Sequence, residues 1–183
     1  MTSPLGTIRP VVDDDLCLML CWRNAPEVRR HMYTRHEISL AEHQAWWERT
    51  KARPDQRYFM YEFQGSPQGV IGFTALDPVN QNASWAFYAA PDASRGTGSR
   101  MEFLALDFAF GELRLHKLYC EVLASNPAVV RLHQKFGFQT EGVFRQQHHY
   151  ESAFIDVHRL GILADEWKKG RDAMLGRLQH GNR

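Results

Sequence analysis

The sequence predicts a single mixed α/β domain with a mostly antiparallel sheet, and three observations carry that prediction. Three β-rich runs follow one another between residues 58 and 89, separated by turn residues. A glycine-rich turn, Arg95-Gly96-Thr97-Gly98-Ser99-Arg100, then leads into a helix with apolar residues at 101, 104, 105 and 108. A strand–helix–strand segment between Lys117 and Gln146 and one last strand complete the order, giving a crossover followed by a terminal antiparallel pair.

The elements follow from local chemistry. Thr7 to Val12 is a short β-rich run, and Asp13-Asp14-Asp15 offers a cap with acids in the first turn of the next helix. That helix continues through Leu16, Met19 and Trp22 to about Asn24, before the break at Pro26. Ser39 caps a second helix with Glu42 as its capping-box partner, and the helix runs through Trp46 and Trp47 to about Ala52. The strands are Tyr58 to Phe63, Val70 to Leu76 after the turn at 65–69, and Ala83 to Ala89 after Asp77-Pro78. A helix from about Ser99 to Leu113, a strand from Lys117 to Ala124 and a helix from Pro127 to Phe136 come next. The last strands are Phe138 to Gln146 and about Phe154 to Leu163. All 183 residues belong to this one domain, with about 168–183 expected as a loosely held tail.

Composition excludes several classes of function. Apolar residues make up 44% and charged residues 23%, and the net charge of +1 creates no general attraction to nucleic acid or an anionic membrane. Any anion site must therefore be local. Acidic residues interrupt the longest apolar stretches, and Met1 to Ile8 lacks the pattern of a signal peptide, so a cytoplasmic protein without a membrane partner is expected. Cys17, Cys21 and Cys120 form no Cys-x-x-Cys pair, and Cys17 and Cys21 read as small buried residues on a helix. His148 and His149 are adjacent on a strand and point to opposite faces, so no metal site is assigned.

The glycine-rich turn is the first candidate site. A strand, a turn and a helix start together aim backbone N–H groups at an anion, where the helix adds about half a positive charge. Gly96 and Gly98 permit close approach, and Arg95 and Arg100 can add charge. An ordinary turn would look the same, so the segment downstream matters: Asn126-Pro-Ala-Val-Val-Arg-Leu-His133-Gln-Lys-Phe-Gly137-Phe138. It resembles the Asn-x-x-(Ala/Ser)-x-x-x-Tyr-x-x-x-Gly-Phe stretch of the GCN5-related N-acetyltransferases, and residues 95–100 resemble their pyrophosphate loop. The resemblance implies their fold, a sheet splayed at its middle and flanked by helices, and an enzyme using acetyl-CoA without a metal. It places the pyrophosphate at Arg95, Gly96, Thr97, Gly98, Ser99 and Arg100, the pantetheine arm along Phe87, Tyr88 and Ala89, and Asn126 in the same cofactor site.

This chain departs from the family pattern twice. Arg100 occupies a position usually kept small, where a guanidinium could still reach phosphate. His133 occupies the position of the usual Tyr, which in the family is placed to protonate the departing thiolate. An imidazole can fill that role, or only hydrogen-bond the sulfur, or sit on the surface of a short helix.

The strand Leu118 to Ala124 alternates Leu118, Cys120, Val122 and Ala124 on one face with Tyr119, Glu121 and Leu123 on the other. Glu121 is the candidate base, because a lone acid in an apolar strand is costly unless it serves a cavity; the alternative is a solvated or paired surface acid.

The acceptor is read from the first third. Leu-Cys-Trp22-Arg23-Asn24 and Pro26-Glu27-Val28-Arg29 resemble the ribosomal-protein and antibiotic branch of the superfamily. Met32-Tyr33, His36 to Leu40, His43 to Trp47, Gly98 to Leu106 and Leu115 to Leu118 resemble the UDP-4-amino-sugar N-acetyltransferases of pseudaminic acid biosynthesis, a route to flagellin glycosylation. That likeness implies a small nucleotide-sugar acceptor, UDP-4-amino-4,6-dideoxy-N-acetyl-β-L-altrosamine, acetylated at its 4-amino group by direct attack in a ternary complex. Arg23 and His43 would then face the phosphates, with Thr74 and Tyr88 reaching the sugar or uridine; the alternatives are an Arg23 paired with a carboxylate, a His43 exposed on its helix and a Tyr88 in the core. The rivals are a protein N-terminus or small amine as acceptor, and a non-catalytic acetyl-CoA-binding module. The chain is expected to be a monomer or homodimer.

Overall fold

The computed structural model describes residues 3–180. Among them seven strands form one sheet in the order β1-β2-β3-β4-β5-β7-β6. They are β1 (Thr7–Pro10), β2 (Arg57–Phe63), β3 (Ser66–Asp77), β4 (Asn82–Ala89), β5 (Lys117–Leu123), β6 (Gln139–Tyr150) and β7 (Ala153–Leu163). The helices are α1 (Leu16–Asn24), α2 (Pro26–Arg29), α3 (Leu40–Lys51), α4 (Thr97–Asp107), α5 (Pro127–Lys135) and α6 (Ala164–His180). A wider π turn, Phe108–Glu112, extends α4.

Period-two alternation divides the core between the two faces of the sheet. Phe59 and Tyr61 of β2, Ile71 and Phe73 of β3, and Trp85 of β4 pack with Met101, Phe103, Ala105 and Leu106 of α4. Met60 of β2 and Val70 of β3 instead meet Leu16, Met19 and Trp22 of α1 and Trp47 of α3. Ser39 caps α3 as expected, its hydroxyl accepting the Glu42 N–H at 3.2 Å. The expected turn at 65–69 is tighter than its composition suggests. Gln64 and Gly65 both take positive φ, Phe63 pairs directly with Ser66, and residues 66–69 already belong to β3.

One break in the ladder matters most. β4 and β5 are parallel and pair only from Asn82 with Lys117 to Ser84 with Tyr119. Beyond those pairs the strands part, while β3 remains paired with β4 as far as Ala89 and β7 with β5 as far as Leu123. The sheet is thus splayed at its middle, as the family resemblance implies.

Two expectations fail. Cys17 and Cys21 are exposed on α1 rather than buried, and Cys120 is the buried thiol. The C-terminal segment, expected to be loose beyond residue 167, is helical to His180; residues 181–183 of that expectation lie outside the described residues. Trp167 is buried between Phe103 and Phe136, and its indole N–H donates to Asp107 at 3.0 Å. Arg171 grips the same carboxylate through two donors at 2.7 Å, and Met174 is also buried. Trp167→Ala is therefore expected to destabilise the fold by about 3–5 kcal/mol, a large-to-small core change, measured by urea unfolding.

Candidate active site

The splay creates a cleft of about 340 Å³ between β4 and β5, bounded by Trp85 to Ala89, Cys120 to Leu123, Asn126 and His133, with Val28 to Tyr33 across the opening. The backbone of Trp85 to Ala89 has its ladder partner on the β3 side alone, so its other edge can accept an extended ligand arm. Phe87, Tyr88 and Ala89 lie on this edge. Their side chains diverge: Phe87 faces His133 and Trp85, whereas Tyr88 turns to the opposite face of the sheet.

The glycine-rich turn stands at the start of α4. Gly96 is its N-cap with φ of 85°, a left-handed conformation that favours glycine. The Thr97 and Arg100 amides bond to Ser94 and Gly96 carbonyls, so Gly98 and Ser99 contribute the first-turn amides that remain for an anion. A Cβ on Gly98 would lie 3.4 Å from Leu132 and 3.7 Å from Phe87, in ordinary van der Waals contact with both. Arg95 is exposed beside it.

Arg100 is not the phosphate ligand expected. It is 4% exposed and turned inward. Nε donates to Tyr61 at 2.9 Å, Nη1 to the Arg95 carbonyl at 3.1 Å, and Nη2 to Ser94 and Thr97 hydroxyls at 2.6 and 2.9 Å. The guanidinium also stacks 4.0 Å over Phe63. The long side chain at a normally small position is accommodated because it leaves the cradle and ties the loop together from beneath. The Thr97 hydroxyl is likewise directed inward, leaving its backbone at the turn.

Asn126 lines the cleft, and its Oδ1 accepts the Val129 N–H at 3.4 Å as the cap of α5. His133, in the last turn of α5, is 3% exposed rather than at the surface. Its ring packs against Trp85, Phe87 and Phe138, and Nδ1 lies 2.8 Å from Oε1 of the fully buried Glu102.

Glu121 also lines the cleft, but the surroundings assumed for it are wrong. Its side chain is 37% exposed, not enclosed by apolar neighbours. Tyr33 donates to Oε2 at 2.9 Å and Arg159 to Oε1 at 3.3 Å. Burial and then the Glu121 carboxylate push the Tyr33 hydroxyl above its ordinary pKa, keeping it a donor.

A second cavity, about 380 Å³, lies on the α1–α3 face and meets the cleft at β4, where Met32 and Trp85 to Tyr88 border both. It brings together Arg23, His43, Thr74 and Tyr88, four positions scattered through the sequence. The Arg23 Nη2 donates to the Thr34 carbonyl at 3.2 Å, whereas Nη1 is buried and has no hydrogen-bond partner among the described residues. No carboxylate pairs with Arg23 among those residues; burial, with Arg29 repulsion, holds its pKa down. His43 stacks on Trp46 with ring centres 5.1 Å apart, and its buried Nε2 also has no partner. Burial raises the pKa of Tyr88, against the opposing pull of Arg23.

Burial first, and then Arg23, lowers the His43 pKa below 6.5. The unfolded chain therefore binds more protons there, so this contribution to stability is full above about pH 6.5 and lost as pH falls through the folded value. Unfolding midpoints at pH 7.5 and 5.5 are expected to differ less in His43→Gln than in wild type.

Several lining residues escaped the reading of the sequence. Tyr58 and Arg49 had no motif to mark them, and Met32 lay in a family-like stretch but carried no polar group to suggest a role. Glu102 had a signal, since it lies one turn after Gly98 and one before Leu106 on the buried side of α4. Among the described residues there is no group of three or more metal-ligating side chains, and no helix is long and apolar enough to cross a membrane.

Comparison with known proteins agrees with this geometry. The model of the acetyltransferase (GNAT) domain family matches residues 7–139. Spermidine N(1)-acetyltransferase of Escherichia coli K12 is 22% identical over 87% of each chain. Acetyltransferase PseH of Campylobacter jejuni strain 81-176 is 25% identical over 66% of this chain and 74% of its own. The spermidine N-acetyltransferase of Vibrio cholerae, solved with CoA and spermine, superposes with a TM-score of 0.84 at 24% identity, covering 91% of this chain and 99% of that one. With a matched domain, a splayed sheet and a glycine-rich turn opening α4, the chain belongs to the GNAT family and is an acetyl-CoA-dependent N-acetyltransferase.

Proposed function

We propose that this enzyme acetylates an amine carried by an anionic nucleotide sugar, the 4-amino group of UDP-4-amino-4,6-dideoxy-N-acetyl-β-L-altrosamine in pseudaminic acid biosynthesis. One observation carries the reading: Arg23 holds a buried guanidinium N–H in the acceptor cavity with no carboxylate beside it. A buried cation without a partner is costly unless the ligand supplies the negative charge. Arg49 adds a second cation. Glu42 is the one acid lining that cavity among the described residues, and it is paired with His36 at 3.0 Å. Thr74 and Tyr88 are the candidates for sugar or uridine contacts.

In the reaction the amine nitrogen attacks the thioester carbonyl, the N–C bond forms and the C–S bond breaks. Glu121, in contact with water at the cleft, takes the proton from the amine through a water relay. His133 returns a proton to the thiolate. The turn at 95–99 and the open edge of Phe87 to Ala89 hold the donor, whose supply points to the cytoplasm as the site of action.

A second reading, acetylation of a polyamine, is supported by the relatives from E. coli and V. cholerae. A polycation beside Arg23 and Arg49 would meet repulsion rather than attraction, which counts against it. The two readings separate in calorimetry on the CoA-saturated protein. UDP is expected to bind and spermidine not to; spermidine binding without UDP binding would reverse the choice.

A further inference from the structure

Glu102 has no part in the chemistry above, yet it is 0% exposed on the α4 face that packs against the sheet. A carboxylate there loses its hydration, and Oε1 regains one contact, His133 Nδ1 at 2.8 Å. The other oxygen, Oε2, has no hydrogen-bond partner among the described residues. A fully buried carboxylate with one oxygen unpartnered is an exception that calls for an explanation beyond packing. We propose that Glu102 is a positioning residue that clamps His133 as the Nδ1–H tautomer and favours its protonated form, so that Nε2 serves the cleft. The proposal rests on reading His133 as the acid of the reaction.

The surroundings favour this arrangement. The groups facing the pair are the Cys120 thiol from β5, Lys135 from the last turn of α5, and the rings of Trp85, Phe87 and Phe138. Glu121 borders the same cleft from β5. Burial pushes both the Glu102 carboxyl and the Cys120 thiol up; His133 and then Lys135 pull Glu102 back down. Cys120 therefore stays a neutral thiol. Nδ1 is occupied by Glu102, so Nε2 is the nitrogen left to serve the cleft that the ring lines. When the C–S bond breaks, the sulfur takes the Nε2 proton as its electron pair is released. The imidazole is left neutral with its Nδ1–H on Glu102, and water reloads Nε2 after product leaves. The role of Glu102 resembles that of an acid which orients a catalytic histidine without itself transferring the proton.

Two variants separate charge from hydrogen bond. In Glu102→Gln the amide oxygen still accepts Nδ1–H but the charge is gone. In Glu102→Leu both are gone, and the side chain suits an apolar site. Long-range ¹H–¹⁵N spectra of His133 are expected to give the Nδ1–H tautomer in wild type and in E102Q, and a mixture in E102L. E102Q should titrate His133 at lower pH than wild type and move the alkaline limb of kcat the same way. E102L is expected to lower kcat about 10- to 100-fold with the KM for acetyl-CoA within about twofold. Superimposable titrations of wild type and E102Q, or an unchanged tautomer in E102L, would overturn the clamp. Full turnover by His133→Phe would instead overturn the acid role beneath it, an outcome read from kinetics and separate from the nitrogen spectra.

Discussion

Arg23→Met is expected to raise the acceptor KM about 10- to 100-fold while leaving the KM for acetyl-CoA within about twofold. The size follows from losing one or two charge-assisted hydrogen bonds to an anion, about 1.5–3 kcal/mol, with 1.4 kcal/mol for each factor of ten. The selectivity follows from position, because Arg23 lines the α1–α3 cavity and not the β4–β5 cleft. The same substitution should leave folding stability unchanged or raise it, since it removes a buried donor that has no internal partner. Loss of function joined to undiminished stability distinguishes a ligand-directed arginine from a structural one. Steady-state kinetics with each substrate varied in turn, together with urea unfolding, checks both halves.

Arg100→Ala should behave in the opposite way. It removes four inward hydrogen bonds and the stacking on Phe63, leaving Tyr61 bonded to the Leu5 carbonyl and the Ser94 and Thr97 hydroxyls to each other. Losing these bonds and the buried side chain's packing costs about 1–3 kcal/mol of stability. Because Ser94 to Thr97 lead into the Gly98 and Ser99 amides proposed to hold the pyrophosphate, acetyl-CoA affinity should also fall, by about tenfold or more, as binding must then order the loop. The acceptor KM should change little. Calorimetric titration with acetyl-CoA below the lowered melting temperature measures the second effect apart from the first.

These two arginines mark what could and could not be read from the sequence. The order of elements and the splay between β4 and β5 were legible, because period-two and period-3.6 patterns and the two family motifs are local. The four residues proposed for the acceptor were named singly through resemblance; their convergence on one cavity depends on α1, α3, β3 and β4 packing together. The direction of the Arg100 side chain was not legible. A guanidinium in a phosphate loop suggests a phosphate ligand until Tyr61, 39 residues earlier in the chain, is found beneath it. The chain after Trp167 looked loose because its charged residues mask the apolar contacts of Trp167 and Met174, and its anchor, Asp107, lies 60 residues away. Glu121 was identified from an alternation that correctly sets it opposite Cys120 and Val122, but alternation cannot tell a cavity from a solvated face. Tyr33 and Arg159 supply that distinction, and both are remote in sequence.

The central claim is that an acetyl group passes from acetyl-CoA to an amine on an anionic sugar nucleotide. Mass spectrometry of the products tests it most directly, with purified enzyme, acetyl-CoA and, in parallel, a UDP-4-amino sugar, spermidine and a ribosomal-protein N-terminal peptide. The account predicts a product 42 mass units heavier (about the mass of one added acetyl group, by the stoichiometry of transfer) from the UDP-4-amino sugar, with its formation weakened in Arg23→Met. Turnover of spermidine or of the peptide with none of the sugar nucleotide would contradict it.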